Sequence, residues 1–162
     1  DFSHASRYGI EKTQAKRKKE VNRDLKKKKQ SLLTSRDWIK KAQSAVNAYI
    51  RLRDEGEPCI SCGSYPEQKA GGNIDAGHYR SRGAAGHLRF NVLNIHAQCV
   101  KCNRFNSGNA VDYRIRLIEK IGLFLVDKIE HDNSTKRYSI DYLKRLQKIF
   151  LKRSRHLKKL RG

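Results

Sequence analysis

Apolar residues recur every three or four positions between residues 35 and 53, a period that predicts an amphipathic helix. Ser35 is placed to cap the N-terminus of this helix, and Gly56 and Pro58 follow its end. A helix of this kind buries its apolar face against the rest of the protein. The expected buried face comprises Trp38, Ala42, Ala45, Val46, Tyr49 and Ile50.

The same period returns in the second half of the chain. It predicts a helix between Gly108 and Gly122, with Val111, Ile115, Ile118 and Ile121 near one face. The stretch LFLVDKIEHDNS predicts a further short helix, and Ser139 begins a long C-terminal one. The apolar stripe of this last helix comprises Leu143, Leu146, Phe150, Leu157 and Leu160.

The remaining segments have weaker patterns. Residues 11–30 favour a helix by composition but offer little apolar surface, so this helix would be polar nearly all round and marginal in isolation. Residues 1–10 show no clear period, and we expect them to be loose. Residues 57–98 are rich in glycine, with short predicted strands near 73–80 and 88–96. Helices around a small sheet indicate an α+β fold.

Charge is concentrated near both ends of the chain. The 162 residues carry a formal net charge of +21. Residues 11–30 hold ten basic side chains against three acidic ones, and residues 141–162 hold nine against one. Clustered basic residues suit a polyanion, because neutralising phosphates releases counterions. We therefore expect a nucleic-acid partner; a solvated helix surface, an acidic membrane surface and a ribosomal partner are the alternatives.

The sequence contains no apolar run of about 18 residues and no signal peptide, so we expect no membrane segment. It also contains no methionine. This composition favours a processed chain or a fragment of something longer.

The four cysteines of the chain form two C-x-x-C pairs, Cys59 with Cys62 and Cys99 with Cys102. Two such pairs supply the four thiolates that a structural Zn²⁺ takes in a tetrahedron. The gap between the pairs can hold a small sheet whose ends the metal ties together. A disulfide framework, a redox pair and four free thiols are the alternatives, and nothing in the sequence favours them.

The order of motifs, C-x-x-C, DAGHY, LRFNVLNIHAQC and CN, resembles the HNH endonuclease motif. The resemblance implies a small zinc-stapled ββα-metal core, in which two strands and a helix surround one divalent ion. It assigns His78 as the general base, Asn94 as the residue that orients the base, and Asn103 as a ligand of the ion. Mg²⁺ or Mn²⁺ held by oxygen ligands would polarise the phosphate.

One position departs from that motif. Many HNH sites carry Asp or His directly before the base, and this chain has Gly77. Asp75 is the nearest carboxylate and becomes the second expected ligand of the catalytic ion, with capping of a turn as its alternative role. On a regular strand Asp75 and His78 would point to opposite faces, so we expect a bulge or turn at Gly77 to bring them together.

Four residues near the motif are expected to contact DNA. Arg80, Arg82 and Arg89 surround the histidine and can clamp phosphates, with ordinary surface charge as the alternative. Asn109 is grouped with them, with capping of the next helix or metal ligation as alternatives. Stacking of Trp38 on a base is the alternative to its packing in the core. We expect His87 and His96 to be structural or incidental.

A longer resemblance is more specific. The string DAGHYRSRGAAGHLRFNVLNIHAQCVKCNRFNSGNAVDYRIRL, preceded by SRDWIKKAQSAVNAYIRLRDEGEPCISCG, is similar to the NinG family of phage recombination proteins, also called Rap. The resemblance covers about Ser35 to Gly122. It implies an endonuclease that cleaves branched recombination intermediates, such as Holliday junctions and D-loops, in the cytoplasm of a bacterial host. Two cuts per junction favour a homodimer.

Together these inferences predict three regions. Residues 1–34 form a basic helical extension, residues 35–122 the zinc-containing HNH-like core, and residues 123–162 a basic helical region. The competing interpretation is a non-catalytic zinc-ribbon protein that binds nucleic acid. It explains the charge and the cysteines, but not the spacing of His78, Asn94 and Asn103.

Overall fold

The computed structural model describes residues 2–65 and 73–162, with side chains from residue 11 onward. Along these residues, two α-helices precede one small antiparallel sheet and three α-helices follow it, which confirms the α+β class. The chain divides into two units, Asp1–Asp37 and Trp38–Gly162. The elements are α1 (Phe2–Ser31), α2 (Ser35–Arg53), β1 (Ile74–His78), β2 (Ile95–Cys99), α3 (Ala110–Ile121), α4 (Leu123–His131) and α5 (Ile140–Arg161).

The first unit consists of α1 and the start of α2. Helix α1 begins at Phe2, so residues 2–10 are helical and the expectation of a loose segment was wrong. Its thirty residues span about 45 Å, and nearly every described side chain is exposed, as its polar composition predicted. Thr34, not Ser35, caps α2: the Asp37 backbone N–H donates to Thr34 Oγ1, and the Thr34 N–H to Asp37 Oδ2 at 3.0 Å.

The predicted apolar face of α2 is confirmed. Trp38 is only 4% exposed, Val46 and Ile50 are fully buried, and Tyr49 packs against Phe150 of α5 with ring centroids 5.2 Å apart. Ser139 caps α5 by accepting from the backbone N–H of Tyr142. No helix within residues 2–65 and 73–162 is long and apolar enough to cross a membrane.

The buried face of α3 differs from the predicted one. Tyr113 and Leu117 are its buried residues, whereas Val111 is 75% exposed and Ile115 is 55% exposed. Tyr113 and Leu117 pack with Ile60 and Val126, and Ile118 and Ile121 of the predicted face pack against this cluster. The Tyr113 hydroxyl also donates to the carbonyl oxygen of Gly77. The predicted end of α3 is confirmed, since Gly122 has a φ of +85°.

The sheet consists of β1 and β2, paired antiparallel from Ile74 opposite Cys99 to His78 opposite Ile95. Strand β1 lies within its predicted range. Strand β2 begins at Ile95 instead of near residue 88, because residues 85–94 form successive tight turns, such as Leu88 N–H to Ala85 oxygen and Asn94 N–H to Asn91 oxygen.

The end of α2 is bonded to β2 through a buried polar cluster. Asp54 accepts from the backbone N–H of Ala97 at 2.9 Å and from the guanidinium of Arg53. Arg53 also donates to the carbonyl oxygen of Ile95 and contacts His96 Nδ1 at 3.0 Å. This cluster fixes β2, and therefore the site that follows it.

Candidate active site and metal centre

The four cysteines converge in one cluster. Their sulfur atoms all lie within 4.8 Å of one another, and Cys62 Sγ is 3.9 Å from Cys99 Sγ. Four thiolates around a Zn²⁺ at about 2.3 Å would be separated by roughly 3.8 Å, so the cluster fits a tetrahedral zinc ion. Backbone and amide N–H groups point at the sulfurs, including Cys99 N–H at Cys59 Sγ and Asn109 Nδ2 at Cys102 Sγ.

The four cysteines come from the turn after α2, the end of β2 and the segment that follows β2. Cys99 ends β2, and Cys102 lies in a π-helical turn, Lys101–Phe105. This type of turn is rare and is frequent at functional sites. A metal ion held by the four thiolates would anchor the turn that carries the next two residues, Asn103 and Arg104.

A cavity of about 450 Å³ lies beside this turn. Asp75, Ala76 and His78 of β1 line it. Consecutive side chains of a strand point to opposite faces, so the cavity lies along the edge of β1 and not on one face. The expected bulge is absent from the described pairs of β1 and β2. Asp75 and His78 nevertheless line the same cavity, and Asn103 lines it from the π-helical turn.

The environment of His78 defines its chemistry. His78 Nε2 is 3.0 Å from the carbonyl oxygen of Arg89. A carbonyl only accepts, so Nε2 carries the proton in the neutral ring and Nδ1 carries the lone pair. Burial lowers the pKa of His78 below its ordinary value, and the positive charges of Arg82 and Arg89 lower it further. These effects favour the neutral imidazole of His78.

The backbone oxygen that holds His78 is itself fixed. Arg89 follows a short 3₁₀ turn, Gly86–Leu88, and its neighbours Leu88 and Phe90 are buried. The sequence drew attention to the Arg89 side chain, and only the structure shows the role of its carbonyl.

Asp75 and Asn103 are brought together as expected. Asn103 Nδ2 donates to Asp75 Oδ2 at 2.8 Å, which leaves Asn103 Oδ1 as the amide atom suited to a cation. Arg104 donates to both carboxylate oxygens of Asp75, at 2.7 and 2.8 Å. The Arg104 hydrogen bonds are the main reason that the pKa of Asp75 lies below its ordinary value.

Gly77 is a glycine because there is no room for a side chain. A Cβ at this position would lie 2.1 Å from Gln98 Oε1 and 2.8 Å from Gln98 Cβ. Gln98 is fully buried and donates to Ser61 Oγ and to the carbonyl oxygen of Gly108. The carboxylate or imidazole that many HNH sites carry before the base therefore has no place here.

Asn94 is fully buried and is bonded to the segment that follows His78. Its Oδ1 accepts from the backbone N–H of Arg80, and its Nδ2 donates to the carbonyl oxygen of Arg80. Its own carbonyl accepts from the N–H of Tyr79. Asn94 thus holds the backbone of the two residues after His78, and it reaches the imidazole only through that backbone.

The expected DNA-contacting residues separate into two groups. Arg82 is exposed and lines the cavity, and Arg89 lies close enough for its charge to act on His78. Arg80 has a different place, because its guanidinium donates to carbonyl oxygens at the end of α4. Asn109 precedes α3 and directs its amide at Cys102 Sγ and Asp112.

The two histidines expected to be structural are held inside the protein. His87 Nε2 lies 2.8 Å from the carbonyl oxygen of Asp132. His96 is 3% exposed and contacts Arg53 and the carbonyl oxygen of Leu93. Neither lines the cavity.

Several lining residues escaped the sequence analysis, among them Arg51, Asn47 and Arg104. Arg51 and Asn47 reach the cavity from α2. Arg104 directly follows Asn103, and its basic side chain beside a motif position was the available signal. With Arg82, the cavity wall carries three guanidinium groups against one carboxylate, which suits a phosphate.

Comparison with known proteins supports the family resemblance. Over 138 residues, the chain is 45% identical to "Protein ninG" of Salmonella phage P22 and to "Protein ninG" of Escherichia phage lambda, covering 85% of this chain and 66% of each relative. The protein of the same name from Enterobacteria phage H19B is 49% identical over 110 residues, which are 68% of this chain and 53% of that relative. The chain thus spans about two thirds of the length of the first two relatives.

No solved structure matches the chain. The family model described as "Bacteriophage Lambda NinG protein" matches residues 3–160, nearly the whole chain. The chain therefore belongs to the NinG family of bacteriophage proteins.

Proposed function

We propose that this protein is a metal-dependent HNH-type endonuclease that hydrolyses phosphodiesters in branched DNA. The observation that carries the proposal is the content of one cavity: a neutral histidine with a lone pair on Nδ1, the oxygen pair Asp75–Asn103, and three guanidinium groups. These are the parts that phosphodiester hydrolysis needs: a base for water, oxygen ligands for a cation, and positive charge for the phosphate.

His78 would take the proton from the attacking water. The Arg89 carbonyl fixes its tautomer, and Asn94 is a positioning residue that holds the following backbone. Arg82 and Arg51 would bind the phosphate and neutralise charge that develops on it. Removal of a general base of this kind costs about a hundredfold to ten-thousandfold in rate.

The donor set of Asp75 Oδ and Asn103 Oδ1 fits Mg²⁺ or Mn²⁺, which prefer oxygen ligands. A bound ion would supply positive charge to the phosphate and to the leaving oxygen. Because Arg104 occupies both oxygens of Asp75, it would have to release at least one of them to the ion. Arg104 is then available for the phosphate.

The choice of branched recombination intermediates, such as Holliday junctions and D-loops, rests on the resemblance to the family. The net charge of +21 supports DNA as the partner class. A homodimer would place two sites on a two-fold symmetric junction, and a solution mass of a single chain at micromolar concentration would contradict it.

A non-catalytic zinc protein that binds nucleic acid is the second candidate. The observation that favours it is the pairing of Asp75 with Arg104, which opposes cation binding at that carboxylate. Binding alone would be independent of Mg²⁺ and Mn²⁺, whereas cleavage requires one of them.

The test is cleavage of a synthetic four-way junction and of a matched linear duplex with added Mg²⁺ or Mn²⁺. We expect the native chain to cut the junction and His78→Ala to lose about a thousandfold in rate with junction binding intact. His156→Ala is the matched control, because His156 is exposed on α5 and lies outside the cavity lining. Tight binding by the native chain without cleavage in either ion would overturn the proposal in favour of the second candidate.

A further inference from the structure

Phe105 is an exposed aromatic side chain beside the cavity. It is 78% exposed, although it lies in the same π-helical turn as Asn103 and Arg104, which line the cavity. Ser107 and Gly108, a few residues further along, line the cavity as well. Residues before and after Phe105 therefore line the cavity, although Phe105 itself does not.

The backbone that carries Phe105 is fixed. Cys102, three residues earlier, belongs to the zinc centre. The Asn106 N–H donates to the carbonyl oxygen of Lys101, and the Gly108 N–H to that of Cys102, both at 2.9 Å. A ring that projects from a rigid turn loses little conformational freedom when it binds a partner.

Within the described part of the chain, the Phe105 ring takes part in no aromatic pair and no cation–π contact. Single exposed apolar residues are common, so exposure alone decides nothing. The surroundings decide, because Phe105 directly follows Arg104 in sequence and adjoins a cavity lined by two more arginines, Arg51 and Arg82. Such a surface complements a phosphate chain that carries flat aromatic bases.

We propose that Phe105 stacks on an unpaired base next to the phosphate bound in the cavity, and so favours DNA with unstacked bases at a fork, flap or single-stranded end. This inference rests on the proposed function, because it takes DNA in the cavity as given. In a continuous duplex both faces of every base are covered by neighbouring bases, whereas an unpaired base offers a face to the ring. Stacking of this kind tolerates any base sequence.

The experiment compares two DNA molecules of matched sequence, a forked duplex and a linear duplex, in buffer without Mg²⁺ or Mn²⁺. We expect Phe105→Ala to lower the affinity for the fork by about tenfold and to leave the affinity for the duplex within about twofold. Phe105→Trp should retain the native preference. Phe124→Ala is the matched control, since Phe124 is 68% exposed on α4 and lies outside the cavity lining.

A spectroscopic readout reports stacking directly. 2-Aminopurine at the first unpaired position of the fork should be quenched by the native chain and by Phe105→Trp, and remain bright with Phe105→Ala. Zinc content and circular dichroism equal to those of the native chain would show that the Ala variant is folded.

Two results would overturn the inference: equal loss of affinity for fork and duplex, or no loss for either. A change of solution mass in Phe105→Ala, with its DNA affinity unchanged, would likewise reject it and assign the ring to a protein contact. Failure of the proposed nuclease is separate. A native chain that cuts no DNA but shows the Phe105-dependent fork preference would support stacking and reject catalysis alone.

Discussion

At the scale of single residues, the side chain of Gln98 lies directly against Gly77 in the sheet. Gln98 fills the volume that any side chain at position 77 would need, and it is held there by Ser61 and by the carbonyl of Gly108. Gln98 Oε1 is buried without a hydrogen-bond partner among the described residues, so packing fixes the position of this atom. The residue directly before His78 is therefore constrained to be glycine.

We expect Gly77→Ala to lower the free energy of unfolding by about 1–3 kcal/mol, the usual cost of overpacking a buried site. Urea denaturation measures this change. Gln98→Ala in the same chain should recover part of the loss, because it removes Oε1 and Cδ, which would lie 2.1 and 2.9 Å from the new methyl group. An unchanged midpoint for Gly77→Ala would show that the sheet relaxes more easily than the structure indicates.

His96 is a second residue with a consequence for stability. Burial, and after it the positive charge of Arg53, lower its pKa to about 4, although the charge of Asp54 acts in the opposite direction. The ordinary pKa of histidine is about 6.5. Below pH 6.5 the unfolded chain therefore binds a proton that the folded chain refuses, so the free energy of unfolding decreases as pH falls from 6.5 towards 4.

From pH 7 to pH 5 the His96 contribution to this decrease should be about 2 kcal/mol. Denaturant unfolding of the native chain and of His96→Gln, at half-unit steps of pH, isolates it as the difference between the two slopes. Loss of zinc at acid pH affects both chains and cancels in that difference. Parallel slopes would mean that folding leaves the pKa of His96 unchanged.

At the scale of elements, the four cysteines bring three segments to one point. The turn at residues 59–64, the end of β2 and the π-helical turn meet at the four thiolates. A two-stranded sheet is marginal in isolation. A bound zinc ion would therefore contribute directly to the stability of the sheet and of the turn that carries Asn103.

Removal of zinc with a strong chelator should abolish cooperative thermal unfolding of the second unit at pH 7, because structural zinc sites contribute most of the folding energy of small metal-bound cores. Cys99→Ser should behave in the same way and contain no zinc in metal analysis. Helix signal from α1 can persist, since it belongs to the other unit. As the control, addition of Zn²⁺ should restore the cooperative thermal transition. An unaltered midpoint of that transition without zinc would contradict the prediction.

The sequence predicts local elements better than their tertiary partners. The period of α2 and the glycine at 122 are local signals, and both are confirmed. Tyr113, which is buried in place of Val111, donates a hydrogen bond to Gly77, which lies 36 residues earlier in the sequence. Likewise, motif spacing predicts that Asp75 and Asn103 meet, but a carbonyl contact such as that of Arg89 with His78 leaves no trace in residue types.

At the scale of the whole molecule, positive charge is spread well beyond the cavity. The exposed lysines at 26–29 of α1 alone contribute four charges, and this helix belongs to a unit separate from the one that holds the site. We therefore expect affinity for a polyanion to be separable from chemistry at the site.

Replacing Lys26, Lys27, Lys28 and Lys29 by Gln should weaken binding to junction and duplex alike. The slope of the logarithm of affinity against the logarithm of salt concentration should decrease in magnitude by up to about 3–4, near 0.9 for each lost phosphate contact. Arg at the same four positions preserves the charge and should preserve the slope. A native slope in the Gln variant would exclude α1 from the DNA interface.

Arg80 joins the segment after β1 to the end of α4. Its Nη1 donates to the carbonyl oxygens of Ile129, Glu130 and Asp132 at 3.0, 3.0 and 2.7 Å. A chain cut after residue 122 would lose all three acceptors, and the segment next to His78 would keep Asn94 but lose its connection to α4. Residues 35–122 transplanted into another protein would therefore have to bring α4 with them.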